Sequence, residues 1–324
     1  MIDIPMSLVE APRKDFRDAI FSEIADYIRE NDNAILLTND MGAQGIDKIK
    51  VFAPKQVLNV GITEQNMMSV AAGLALSGHF VFVYGIAEHL ILRALEQIKL
   101  DICVQNLPVC IVGVGAGLAY GQDGPTHHGT EDIAVMRAIP NISIYNPSDC
   151  FSAKKSVSCA VMQKTPSYIR MDKEQLPEMY TSGRELERGF GVHGTVSGGA
   201  FISTGVIGWP AFTAMEKLKS QDVECFWIDI WRLKPVNWDK LISTISGADW
   251  LVFLDESVRT GGLAETVLGN CQNMTPKFVV SLDLGDSFLL GSANREWVWK
   301  KIGAKSQNLV SNVLENLENL ATDK

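Results

Sequence analysis

Short apolar runs and helically spaced apolar sets take turns along this chain, and their order predicts its architecture. From Arg13 to Glu30, Phe16, Ile20, Ile24, Tyr27 and Ile28 recur at helical spacing, and Asn31-Asp32-Asn33 stops the pattern. Ala34 to Thr38 reads as a short buried strand and Val57 to Val60 as a second. Thr63 is a candidate N-cap for a helix that runs to about Ser77, where Gly78 ends it. Phe80 to Tyr84 predicts a third strand, Glu88 to Asn106 a long helix with apolar residues on several faces, and Val109 to Val114 a fourth strand. A helix near Glu131 to Arg137, strands at Ile142 to Tyr145 and Ser167 to Arg170, and a helix from Cys150 to Met162 complete the first half. Strands alternating with helices predict an α/β fold with a mostly parallel sheet covered on both faces.

The pattern breaks between Asp172 and Arg188, where Pro177, Gly183 and many charges fall, and then restarts. Strands are expected at Ala200 to Thr204, Val223 to Ile230, Trp250 to Asp255 and Lys277 to Leu282. Helices are expected at Pro210 to Lys219, Trp238 to Ile245, after Gly261-Gly262, and at Leu309 to Leu320. The predicted organisation is a first domain over residues 1–175, a linker over 176–190 and a smaller α/β domain over 191–324. No internal repeat or low-complexity segment is visible.

Composition narrows the function classes. Of 324 residues, 46% are hydrophobic and 21% charged, as in a globular protein with a substantial core. The net charge of −9 and pI near 5.1 argue against nucleic acid as the main partner, because phosphate backbones need a basic face. A small anionic substrate held by a few local cations stays possible. The six dispersed cysteines form no Cys-x-x-Cys and read as buried reduced thiols, which points to the cytoplasm and away from a zinc site. The first sixteen residues lack a signal-peptide core, and no run of about 18 apolar residues predicts a membrane span.

Two stretches carry candidate chemistry. Gly113-x-Gly115-x-Gly117 follows a strand, but Leu118 stands where a dinucleotide fingerprint needs its third glycine, so it is a weak signal. The loop Gly121-Gln122-Asp123-Gly124-Pro125-Thr126-His127-His128-Gly129 holds two of the five histidines. Glu64 falls in the first turn of a predicted helix, where the helix dipole alone would favour an acid. Yet both Glu64 and the loop follow strand C-terminal ends, which share one edge in a parallel sheet. Two acids and two histidines at one sheet edge make a plausible site.

Asn59-Val-Gly-Ile-Thr-Glu64-Gln-Asn, followed by Gly121-Gln-Asp-Gly-Pro-Thr-His-His-Gly-Thr-Glu-Asp, resembles the transketolase family of thiamine-diphosphate enzymes. Asn146-Pro-Ser-Asp, Asp229-Ile-Trp-Arg-Leu-Lys-Pro and Asp255-Glu-Ser extend the likeness over nearly the whole chain. The resemblance implies a pyrimidine-binding domain followed by the family's C-terminal domain. The Gly-Asp-Gly metal motif of the diphosphate-binding domain is missing. The chain therefore looks like the C-terminal subunit of a split transketolase, with the diphosphate end of thiamine diphosphate and its Mg2+ on a separate N-terminal partner subunit in a heterotetramer. A 1-deoxyxylulose-phosphate-synthase-like or 2-oxoacid dehydrogenase beta-type carboligase subunit is the alternative. A non-catalytic structural or regulatory subunit is the alternative of another class.

The resemblance also distributes roles. It assigns Glu64 to the aminopyrimidine N1′, where a buried carboxyl of raised pKa promotes proton removal at C2. A two-carbon ketol unit would then pass from a ketose to an aldehyde. Ile62, Leu90 and His89 are expected at the pyrimidine, Leu90 in place of the family's stacking aromatic. Asp123, His127 and His128 are expected at the sugar, with His127 also catalytic, and Arg13 and Arg170 at a terminal phosphate. No metal ligand is expected in this chain. Gly115 stands where a phosphate-contacting histidine is common, and Gln44 where a serine is expected. These departures predict a modified or otherwise specialised sugar substrate.

Overall fold

The computed structural model describes residues 2–271, 274–291 and 294–322. In the first half, β1 (Lys14–Asp15), α1 (Phe16–Glu30), β2 (Ala34–Thr38), α2 (Gln44–Phe52), β3 (Val57–Asn59), α3 (Glu64–Leu76) and β4 (Phe80–Ile86) follow one another. Then come α4 (Ala87–Arg93), α5 (Leu95–Gln97), β5 (Val109–Val114), α6 (Asp132–Arg137), β6 (Ser143–Tyr145), α7 (Cys150–Gln163), β7 (Ser167–Met171) and β8 (Gln175–Leu176). The second half contains β9 (Gly191–His193), β10 (Gly199–Ser203), α8 (Gly208–Lys219), β11 (Cys225–Asp229), β12 (Arg232–Lys234) and α9 (Trp238–Ile245). It closes with β13 (Trp250–Leu254), α10 (Leu263–Asn270), β14 (Phe278–Leu282), α11 (Arg295–Lys301) and α12 (Ser306–Thr322).

Two sheets organise these elements, as the alternation predicts. The larger has seven strands in the order β12-β6-β7-β5-β4-β2-β3, and only β12 runs antiparallel. The smaller has five, in the order β14-β13-β10-β11-β9, with β9 antiparallel. Every position of β2, β5 and β7 is buried. Strands covered on both faces must be apolar throughout, which is why they read as continuous runs. Among the described residues, no helix is long and apolar enough to cross a membrane.

The two halves are interlocked. β12 belongs by sequence to the second half but pairs with β6 in the first sheet. Within the expected linker, Leu186 is wholly buried and the Tyr180 hydroxyl donates to Asp229 at 2.7 Å. From α11, Arg295 reaches Asp172 at 2.6 Å and the Ala116 carbonyl at 3.2 Å, while also pairing with Glu256.

Two local expectations change. The long helix over residues 88–106 is broken after Arg93, and Ile98–Cys103 winds as a π-helix. Its Val104 N–H bonds to Lys99 at 2.9 Å, a five-residue step. The widened turn keeps Ile98, Ile102 and Cys103 buried in register with Leu90, Ile91 and Ala94. Thr63 does occupy the N-cap of α3, but its hydroxyl donates back to the Val60 carbonyl at 3.0 Å and caps nothing.

Candidate active site at the sheet edge

The Glu64 end is built by a cross-tie between two turns. Asn59, closing β3, accepts through Oδ1 from the N–H groups of Asp40 and Gly61 at 2.9 and 3.0 Å. Both turns carry positive φ, +66° at Asp40 and +75° at Gly61. This tie presents the first turn of α3 at the C-terminal edge of the sheet. Glu64 is only 5% exposed there. Its Oε1 accepts from Arg93 Nη1 at 3.0 Å and from Asn39 Nδ2 at 3.2 Å. Asn39 Oδ1 beside it is buried without a hydrogen-bond partner.

The loop after β5 is pinned at its neck. Gly117 and Gly129 exchange backbone hydrogen bonds, each 3.0 Å. A Cβ at Gly117 would lie 2.2 Å from Glu256 Oε2, so the close approach requires glycine. Glu256 accepts from Leu118 N–H at 3.1 Å, and Val258 N–H donates to Thr130 O at 3.0 Å. The second half thus fixes both stems of the loop. Asp123 is exposed at its tip and His127 half-buried on its flank.

His89 links the loop to the Glu64 end. Its Nε2 lies 3.1 Å from the Thr126 carbonyl, and its ring meets His127 edge-on at 4.9 Å between centroids. Burial lowers the His89 pKa, with the Arg93 and His127 charges adding to the effect. Glu64, Arg93, His89 and His127 therefore form one continuous polar wall.

Several expected residues lie elsewhere. His128 is 2% exposed and its Nε2 lies 3.0 Å from the Gly121 carbonyl. It closes its own loop and has no surface for a sugar. Leu90 is fully buried within the core, so it offers no face to a ring, whereas Ile62 is 71% exposed near Glu64. Arg170 is also buried, bonded to Asp132 through Nε at 2.8 Å and Nη2 at 3.1 Å, and to the Gly129 carbonyl at 2.6 Å. Burial pulls its pKa down, but Asp132 outweighs that and keeps it charged. Its work is to anchor the loop's C-terminal stem. Arg13 is exposed just before β1. Gln44 opens α2 and lines a cavity of about 400 Å3 with Arg17, Tyr84 and Tyr120.

The sequence reading passes over three residues. Arg93 reaches Glu64 from one helix turn beyond Leu90. Lys173, just past the end of β7, holds its ammonium 4.3 Å from the centre of the Tyr120 ring. Tyr120 packs against His127 at 6.1 Å between centroids. The signal for Lys173 was its place beyond a fully buried strand, where side chains turn outward.

The family model for the transketolase pyrimidine-binding domain matches residues 13–179, just over half of the chain. The chain belongs to the transketolase family. One chain of the two-part apulose-4-phosphate transketolase of Phocaeicola vulgatus is 31% identical over 279 residues, 84% of this chain and 87% of that relative. The 1-deoxy-D-xylulose-5-phosphate synthase of Caldanaerobacter subterraneus subsp. tengcongensis is 26% identical over 94% of this chain, which spans 49% of the synthase. A solved split-gene transketolase, described as an inactive beta4 tetramer, superposes with a TM-score of 0.81 at 27% identity, covering 94% of this chain and 98% of that one. The transketolase architecture therefore extends through both sheets.

Proposed function

We propose that this chain is the C-terminal subunit of a two-chain transketolase, which moves a two-carbon ketol unit from a ketose phosphate to an aldehyde. The observation that carries the proposal is the placement of Glu64 and the Asp123–His127 loop along one sheet edge, bridged by His89. Relatives named for apulose 4-phosphate support a substrate outside the common sugar phosphates.

The residues fit the pyrimidine end of thiamine diphosphate. Glu64 presents a nearly buried carboxylate, and the unpartnered Asn39 Oδ1 supplies a second acceptor in the same recess. When bound, the cofactor supplies a carbanion equivalent and an electron sink for the transferred fragment. Glu64 holds or releases a proton at N1′, Arg93 and Asn39 orient its carboxylate, and Ile62 covers the ring edge. Asp123 accepts from sugar hydroxyls, and His127 positions the carbonyl and exchanges a proton with its oxygen. The diphosphate and Mg2+ belong to the partner subunit, so this subunit alone is inactive. The description of the split-gene relative's beta4 tetramer as inactive supports that dependence.

The test is reconstitution with the N-terminal subunit, thiamine diphosphate and Mg2+, followed by a ketol-transfer assay over ketose phosphates. Transfer that requires both chains supports the proposal. Pyruvate decarboxylation without ketol transfer would move the protein to the deoxyxylulose-phosphate-synthase branch, and no thiamine-dependent turnover would sink the enzyme reading.

A further inference from the structure

Gly115 and Tyr120 are complementary in space. Gly115 has φ +104°, and a Cβ there would lie 2.5 Å from Tyr120 Cδ2 and 2.8 Å from Cε2. The Tyr120 ring thus fills the volume that any side chain at residue 115 would need. On its other sides the ring contacts His127 and the Lys173 ammonium. Tyr120 also stands between two cavities, each of about 400 Å3. One is walled by Asp123, Gln122 and Lys173. The other is walled by Arg17, Gln44 and Tyr84. Among the described residues, Tyr120 alone lines both.

The partition has a polarity. Each compartment holds one cation beside the ring, Lys173 on the loop side and Arg17 on the far side. Arg17 is already drawn onto Asp15, through Nε at 3.1 Å and Nη2 at 2.7 Å. A substrate whose hydroxyls face Asp123 and His127 meets the Tyr120 ring before it can reach Arg17. We propose that Tyr120 is a specificity-determining residue that ends the acceptor site, leaves the substrate's terminal phosphate to Lys173, and so selects short aldehyde phosphates over long ones. Removing the ring joins the two cavities and opens a path to Arg17.

This inference rests on the ketol-transfer reading, and its test separates the two. The reconstituted two-chain enzyme is assayed with glyceraldehyde 3-phosphate and with ribose 5-phosphate as acceptors, and the ratio of kcat/KM is the readout. The wild type favours the three-carbon acceptor. Tyr120→Ala shifts the ratio toward the five-carbon acceptor by at least about tenfold, the scale on which pocket shape discriminates. Tyr120→Phe keeps the wall and the wild-type ratio. If Tyr120→Ala does not fold, Tyr120→Leu opens part of the same path and shifts the ratio in the same direction. A wild type that prefers the five-carbon acceptor, an unchanged ratio in the folded small variant, or an equal shift in Tyr120→Phe overturns the inference while leaving ketol transfer intact. A wild type that transfers to neither acceptor nor to any other aldehyde overturns the functional reading as well.

Discussion

Arg93 Nη1 lies 3.0 Å from Glu64 Oε1, joining the exposed end of α4 to the buried first turn of α3. The guanidinium side of this pair is 51% exposed and the carboxylate side 6%. Such a pair contributes little to stability, about 0–1 kcal/mol, because water screens it. Its consequence is the orientation of one carboxylate. Glu64→Ala in the reconstituted enzyme is expected to abolish turnover, and Arg93→Gln to lower kcat by roughly tenfold or more. Both variants should melt close to the wild type by circular dichroism. Near wild-type turnover in Glu64→Ala would rule out its assignment to the cofactor.

Arg170 gives the opposite result. Its charge is buried against Asp132, and the Tyr168 hydroxyl donates to the same carboxylate at 2.5 Å. Removing one partner strands the other charge, which costs about 3–5 kcal/mol. Arg170→Met is expected to unfold at clearly lower denaturant concentration, and Arg170→Met with Asp132→Leu to recover much of the loss. A stable Arg170→Met with only a raised KM would return this residue to the substrate.

Glu88 provides a pH signature. It is 9% exposed, its Oε2 has no hydrogen-bond partner, and its neighbours include Asp132, Glu131 and Arg170. Burial, reinforced by Asp132 and Glu131, pushes its pKa from 4.5 up to about 8. The folded state then binds the proton more tightly than the unfolded state. Stability from this group is full below pH 4.5, falls as pH rises toward 8, and levels off above. Glu88→Gln keeps the shape without the titration. It should raise Tm by roughly a few degrees at pH 8.5 and by less at pH 5. Equal shifts at both pH values would contradict the burial of a titrating acid.

Lys173 and Arg13 are separable by substrate charge. Lys173→Met is expected to raise KM for phosphorylated sugars by about tenfold or more, since a charge-assisted hydrogen bond is lost. KM for an unphosphorylated ketose should barely change. Arg13→Met, at an exposed position before β1, should act in the same direction if it also meets the phosphate. Equal effects on charged and uncharged sugars would remove either residue from that role.

Much of this was visible in the chain. Continuous apolar runs mark β2, β5 and β7, because a strand covered on both faces has no polar positions to alternate with. The motifs around Glu64 and Asp123 were legible because turns with fixed glycines leave a local trace. What was hidden depends on partners distant in sequence. Arg170 looks like a phosphate clamp until Asp132, thirty-eight positions away, is seen to claim it. Leu90 looks available until the core closes over it. His128 and His127 are neighbours of identical type, and only the fold turns one inward. The Tyr120 ring gains its meaning from Gly115, a relation set by a positive-φ bend that apolar periodicity cannot report. The short α2 was missed because only Gly45, Ile46 and Ile49 in it are buried.

The crossing of β12 into the first sheet bears on how such an enzyme can be divided between genes. A break at residue 190 would remove the strand that covers β6 and leave an open edge, ready to pair with a neighbouring chain. Separation at that point would produce two pieces prone to clump, even though the linear map of helices and strands marks it as a natural seam. Any viable cut has to fall ahead of Phe16, before the two sheets begin to share backbone. For this half of the molecule, the smallest inheritable unit is the pair of sheets together.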